Sequence, residues 1–456
     1  MNLRDGSLNI FSARSFGFVV AVLIALSVIA PPASAKALSL IRDSEIENTI
    51  HGYAAPLFAV AGLDAAAVNV HIVNDPRLNA FVAGGMNLFV NTGLLMASDT
   101  PDAIIGVFAH ETGHIAAGHL ARTREAVKNA TAEAILAYIL GAAAIVAGGG
   151  EAAGAILGAG QSVAQKSLIR YSQTQERSAD QAAVRYLEAV GRSAEGMLEV
   201  FYKLEDQELL VAERQDPYLR SHPLTRDRIS FVENFISRAD YAVQSPSEVE
   251  LLAHRRMVAK LYAFINAPGK TLRTYREGDN SLTARYARAI AYYRIPDLER
   301  AIGEIDSLIR DFPDDPWFHE LKGQMLFENG HIALSIAPYE RAVALRPNEA
   351  LLRLGLARVQ IEINEPGFNK KAIDNLIAAT RFEPKYSQHW HFLGIAYGRD
   401  GQLAQSSLAL AESSLLGGKF VEAKYHAEKA KRGLKNGSPA YLRAEDIALA
   451  ANHGNR

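Results

Sequence analysis

From about residue 282 the chain repeats itself, and this period constrains its fold more than any other feature. Pro313, Pro347 and Pro384 close successive units at spacings of 34 and then 37 residues. Gly323, Gly355 and Gly394 fall at one matching place within the units, and Ala342 and Ala379 at another. Small residues are needed where two paired helices approach closely. Proline ends a second helix because it has no N–H to donate and clashes with the preceding turn. A unit of this size cannot bury its apolar face alone, so units must stack into an array.

Within the array, Trp390-His391-Phe392-Leu393-Gly394-Ile395-Ala396-Tyr397 carries a W-x-x-L-G-x-x-Y core that resembles the tetratricopeptide repeat. Two units are clear, over 316–347 and from 387 onward. Two are degenerate, over 282–313 and 348–384, the latter with an insertion near Asn364-Glu365-Pro366. A further helix pair is expected around Gly418 to Gly433. Arrays of this kind present a concave surface to peptides or protein partners.

The 456 residues exceed one ordinary core, so two or three domains are expected. The formal charge of −2 provides no basic field, which argues against nucleic acid as a partner. The absence of cysteine excludes disulfides, thiolate metal sites and cysteine catalysis. At the N-terminus, Arg4 and Arg14 precede or flank an apolar run from Phe16 to Ala30, followed by Pro31-Pro32 and Ala33-Ser34-Ala35. This pattern predicts a cleavable signal peptide over 1–35. The run of 15 residues is short of the ~20 that a membrane-spanning helix needs. Cleavage would remove Arg4, Arg14 and Asp5, leave a charge of −3, and deliver the chain to a bacterial periplasm.

Residues 36–128 mix strand and helix signals. Asn69 to Val73 alternates like a strand, Asn74-Asp75-Pro76 turns the chain, and Asn79 to Ala83 is again extended. Asn87-Leu88-Phe89-Val90-Asn91 forms another strand, and a helix starts at Thr92. The next helix begins after Thr100-Pro101-Asp102, where Thr100 can cap and Pro101 suits the first turn. Residues 129–165 are rich in alanine, isoleucine and glycine, which suits a buried helical hairpin, a lid, or a segment in peripheral contact with a membrane. Residues 166–240 return to amphipathic helix, and 241–281 form a connector punctuated by Ser245-Pro246-Ser247 and Pro268-Gly269.

The chemistry is concentrated in Gly106-Val107-Phe108-Ala109-His110-Glu111-Thr112-Gly113-His114, which contains H-E-x-x-H. Four residues apart on a helix, His110 and His114 share one face and can grip a single zinc ion. Glu111 lies beside the first ligand, placed to take a proton from water attacking a carbonyl. Two surface histidines on an amphipathic helix would produce the same short pattern.

Catalytic zinc normally has three protein ligands and one open position. His119 is five residues past His114, about 140° round a continuing helix, and reads as a helix-end or surface residue. Downstream, Glu176 and Asp180 stand one helical turn apart. Glu176 could complete the zinc site while Asp180 hydrogen-bonds a ligand imidazole; a solvated charged face would also use such a pair.

Together, H-E-x-x-H, the Glu176-x-x-x-Asp180 pair and the apolar helix resemble the gluzincin peptidases that include CAAX prenyl proteases and HtpX-type membrane proteases. The leader and the repeats narrow the likeness to BepA-type periplasmic proteases. An integral membrane protease fits less well, because only 132–160 could contribute a span, and its glycines and Glu151 count against one. The resemblance implies a mainly α protein: a zincin-like metalloprotease domain with a small β-sheet, then a tetratricopeptide solenoid. It divides the chain into a signal peptide (1–35), a zinc metallopeptidase domain (36–240), a helical connector (241–281) and the repeats (282–456).

The resemblance further implies one Zn2+ per chain held by His110, His114 and Glu176, with Glu111 as the base. The His222-Pro223 turn matches a family turn whose histidine can take the fourth zinc position, so His222 is expected as a regulatory ligand. Protein substrate is expected to lie extended along Asn87, Leu88, Phe89, Val90 and Asn91, pairing through its backbone. The implied work is proteolytic quality control of misassembled envelope proteins, with the repeats reaching substrates or the outer-membrane assembly machinery. The rival expectation is a periplasmic chaperone or scaffold whose zinc site is plugged.

Overall fold

The computed structural model describes residues 39–119, 122, 172–205, 222, 224–241 and 243–454. The expected signal peptide and the whole of 129–165 therefore lie outside the described residues. Among the described residues, no helix is long and apolar enough to cross a membrane.

The N-terminal part opens with β1 (Leu40–Ile41) and α1 (Ser44–Val60), whose first turn is capped by the Asp43 carboxylate accepting from the Ile46 N–H at 3.0 Å. Strands β2 (Asn69–Val73), β3 (Ala80–Ala83) and β4 (Asn87–Asn91) follow, then α2 (Thr92–Ala97). The sheet order is β1-β2-β4-β3, with β2 and β4 parallel and the outer pairs antiparallel. Helix α3 (Pro101–Ala116) starts with proline in its first turn, as expected, but the Thr100 side chain makes no capping hydrogen bond.

Next come α4 (172–189), α5 (Glu195–Glu205) and α6 (Arg226–Arg238). One apolar core joins these elements: Leu57 and Phe58 of α1, Leu88 and Val90 of β4, Ile104 and Phe108 of α3, Leu187 of α4, and Phe201 of α5. Helix α3 is enclosed by this core, which explains why its lead-in from Ala103 to Ala109 is uniformly apolar or small.

Helix α7 (Glu248–Ile265), capped reciprocally by Ser247 and Glu250, leads into α8 (Pro268–Thr274). Rather than spanning open space, α7 serves two cores. Met257 and Leu261 pack into the N-terminal core, while Ala259 and Ala263 pack into the first repeat.

The repeats are five helix pairs. They are α9 (Leu282–Arg294) with α10 (Leu298–Asp311), α11 (Pro316–Glu328) with α12 (Ile332–Leu345), α13 (Ala350–Ile363) with α14 (Pro366–Phe382), and α15 (Ser387–Arg399) with α16 (Leu403–Leu416). The fifth pair is α17 (Phe420–Lys431) with α18 (Pro439–Gly454), so Gly418 and Gly433 bound one helix rather than enclosing two. The periodic glycines mark close approach. A Cβ on Gly323 or Gly355 would come within 2.7 or 2.6 Å of the Tyr339 ring that packs between them.

The array holds the start of α1. The buried Glu45 carboxylate receives Lys260 at 3.1 Å, Arg256 at 2.8 Å and the Tyr286 hydroxyl at 2.7 Å. Farther along, Asn48 Nδ2 donates to Glu349 at 3.0 Å and Arg42 pairs with Glu383 at 2.7 Å. Residues 42–48 thus touch the array from its first unit to its third.

Candidate metal centre

Helix α3 places His110 and His114 on one face with their Nε2 atoms 3.0 Å apart. Opposite them lies α4. A Cβ added to Gly113 would stand 3.0 Å from the Ala179 carbonyl oxygen, so glycine is what lets the two helices approach this closely. That approach brings Glu176 to 3.4 Å from both histidine Nε2 atoms, one carboxylate oxygen to each. His222 enters from the segment before α6. Its Nδ1 is 3.3 Å from His110 Nε2 and 3.2 Å from the Glu176 oxygens.

Four donor atoms around one point could hold a metal ion, and their spacing tests the fit. Ligands about 2.0–2.1 Å from zinc in a tetrahedron lie about 3.3 Å from one another. Taking whichever Glu176 oxygen is nearer to each histidine, five of the six residue pairs approach to between 3.0 and 3.4 Å, and with one ligand atom per residue all four lie within 4.8 Å of one another. Three imidazoles and a carboxylate converge here with lone pairs that a single cation could share. Packed this closely, the same groups shift one another's proton affinities, and a metal would have to displace the proton that His110 holds. Burial disfavours charge on His110, yet Asp180 and Glu176 push its pKa up to about 9. Burial, together with the neighbouring His110 and His222, drives His114 well below the ordinary imidazole value. Burial also opposes ionisation of Glu176, but His222 and His110 hold its carboxyl far below the usual range.

Around these donors, Asp180 Oδ1 stands 2.9 Å from His110 Nδ1, the nitrogen that points away from the cluster. Glu111 is fully buried; neither of its oxygens has a hydrogen-bond partner, and Oε1 is 3.4 Å from His222 Nε2. Burial raises its pKa, opposed by His222 and His110.

Sequence reasoning missed Arg228. From the first turn of α6 its guanidinium donates to Asp180 at 2.7 and 2.9 Å and lies 3.0 Å from Glu176. Burial resists ionisation of Asp180, but Arg228 holds its carboxyl below the ordinary range. No sequence signal singled it out, because Arg226 shares the same first turn and is exposed.

Two expectations are corrected. His119 is not a surface residue: it is 5% exposed, with Nδ1 3.0 Å from His114 Nδ1. The helix ends at Ala116, and Gly118 turns the chain through a left-handed φ of 63°, so the angle for a continuing helix does not apply. The strand Asn87–Asn91 (Asn87, Leu88, Phe89, Val90, Asn91) cannot receive a peptide edge-on, because β2 and β3 occupy both of its sides. Among the described residues the outer strands of the sheet are β1 and β3, and β3 packs beside α3 with its outer edge unpaired.

Comparison with known proteins adds three findings. Residues 41–236 match Peptidase family M48, and residues 286–350 match a tetratricopeptide repeat family. The beta-barrel assembly-enhancing protease of Yersinia pestis is 26% identical over 390 residues, covering 84% of this chain and 79% of the relative. The protein of the same name from Escherichia coli strain K12 is 24% identical over 420 residues, covering 88% and 81%. Among solved structures, YrrB, a tetratricopeptide protein with an unusual peptide-binding site, is 19% identical. It covers 39% of this chain and 91% of its own, with a TM-score of 0.32.

Proposed function

Since this chain carries a metalloprotease domain of peptidase family M48 ahead of tetratricopeptide repeats, we propose that it is a periplasmic zinc endopeptidase. The observation that carries the zinc assignment is the near-tetrahedral spacing of His110, His114, Glu176 and His222. The leader pattern supports the location. The relatives' names connect them to β-barrel assembly, which supports misassembled envelope proteins as the substrate class, and the repeats supply a surface for them or for the assembly machinery.

In this reading His110, His114 and Glu176 hold the ion, and Asp180 fixes the His110 tautomer by accepting its Nδ1–H. Bound zinc would supply Lewis acidity to an attacking water and to the scissile carbonyl. Glu111 accepts the water proton on a carboxylate oxygen and returns it to the leaving amine. Its buried, raised-pKa carboxyl is suited to both halves of that exchange. The peptide lies extended on the free edge of β3, read through its main chain.

His222 makes the resting arrangement closed. It fills the corner that a catalytic site must leave open, and its second nitrogen faces the base. That same observation favours the second reading, a repeat-based chaperone with a plugged site. Zinc content and casein cleavage, with and without a chelator, test the first reading. Glu111→Gln separates the two: it should retain zinc and fold while cleavage stops. Full cellular function in that variant would establish the chaperone reading.

A further inference from the structure

We infer that His119 is a positioning residue for the metal centre, holding His114 through a neutral nitrogen-to-nitrogen hydrogen bond. The inference rests on the metal reading above and extends it to a residue outside the ligand set.

His114 turns Nε2 toward His110 and Glu176, so a metal there uses the Nε2 lone pair and leaves the proton on Nδ1. That Nδ1–H needs an acceptor. The atom in place is His119 Nδ1 at 3.0 Å. His119 must then carry its own proton on Nε2. Its position is built rather than incidental. Gly118, in the left-handed region, reverses the chain just after α3, and Gln175 Nε2 donates to the His119 carbonyl at 3.2 Å. Gln175 neighbours Glu176, so one clamp spans both ligand-bearing helices.

The two histidine ligands are therefore supported differently. His110 has a carboxylate behind it, Asp180, itself neutralised by Arg228. His114 has an uncharged imidazole. A carboxylate behind each ligand would cancel more of the ion's charge and weaken its pull on substrate. His119 orients the ring without adding a negative charge.

The bonding atom makes a sharp test, because asparagine can place its amide oxygen where Nδ1 lies, whereas glutamine reaches the position of Nε2. Zinc affinity of the purified full chain is measured by competition with a chromophoric chelator. His119→Ala should weaken binding about 10- to 100-fold. His119→Asn should recover most of that loss, His119→Gln should not, and His119→Asp should bind at least as tightly as wild type. Proton NMR of the zinc-loaded protein should show a hydrogen-bonded imidazole N–H that persists in His119→Asn and vanishes in His119→Ala. Wild-type affinity in His119→Ala, or equal affinities in the Asn and Gln variants, would overturn the inference. If Ala fails to fold, the Asn–Gln comparison decides. Failure of wild type to bind zinc would instead remove the metal reading itself.

Discussion

Gly113→Ala should weaken zinc binding without touching a ligand. The new Cβ would meet the Ala179 carbonyl oxygen at 3.0 Å, Ala179 Cα at 3.1 Å and Ala182 Cβ at 3.2 Å. Two of those atoms are backbone and have no rotamer through which to yield. Ordinary contacts lie near 3.5–4.0 Å, so α4 must retreat by about 0.5 Å. Alanine improves helix propensity by up to about 1 kcal/mol, while overpacking costs about 1–3 kcal/mol, leaving a net loss of about 0–2 kcal/mol. The greater effect falls on the site. Glu176 rides on the helix that moves, and metal–ligand distances tolerate only about 0.2 Å. Zinc affinity should drop about tenfold or more. The assay pairs chelator competition with urea unfolding of the metal-free protein. Gly52→Ala on α1 is the control: its Cβ would meet nothing within 4 Å, so it should gain about 0.5–1 kcal/mol and leave zinc binding alone. If Gly113→Ala keeps zinc affinity within about twofold of wild type, close approach of α3 and α4 does not set the ligand geometry.

Three further substitutions test neighbouring parts of the argument. His222→Ala should raise casein cleavage by opening the fourth corner and freeing Glu111; unchanged or lower activity would sink the inhibitory role. Gly118→Ala meets no steric contact but must keep a φ of 63°, so it should lose about 1–2 kcal/mol in urea and weaken zinc by displacing His119. Glu45→Ala strips the carboxylate shared by Lys260, Arg256 and Tyr286. Because Lys260 keeps Asp43 and Arg256 keeps Asp315, the loss should sit near the lower end of about 3–5 kcal/mol. Burial resists ionisation of Glu45, but Lys260 and Arg256 hold its folded pKa below the unfolded value. Its stabilisation is therefore complete above about pH 4.3 and fades as pH falls through the folded pKa. Urea midpoints below pH 4 should fall less steeply in Glu45→Ala than in wild type.

What was legible in the sequence followed the range of the interaction. His110 and His114 share a face by helical spacing alone, and the 34-residue period announces stacked helix pairs. Glu176 and Asp180 were visible as a pair, but their meeting with α3 depends on a helix–helix contact between Gly113 and Ala179 and Ala182, more than sixty residues apart in the chain, and family resemblance had to supply it. Alternation identified the strand Asn87–Asn91 but not its place in the sheet. Strand order comes from long-range pairing: β4 lies parallel to β2 and antiparallel to β3, which takes the edge. His119 was misread because a wheel drawn past Ala116 assumes a helix that Gly118 stops. Glycine one residue beyond the cap is itself a readable stop signal.

On the proposed reading the site opens while keeping its metal, because the His222 ring and the Arg228 guanidinium make different contacts, joined by the Arg228 bond to the His222 carbonyl at 3.5 Å. His222 touches His110, Glu176 and Glu111 through its ring. Removing it leaves His110, His114 and Glu176, the three ligands a catalytic site needs, and Asp180 still supports His110. Arg228, only six residues later, grips Asp180 and Glu176 from α6, so the helix following the plug stays fastened to the ligand-bearing helix. Replacing Arg228 should do the opposite of replacing His222. It leaves Asp180 and Glu176 buried without their cation, an expected cost of about 3–5 kcal/mol in the metal-free protein. The ratio of activity to bound zinc distinguishes the two roles: it should rise in His222→Ala and should not rise in Arg228→Ala.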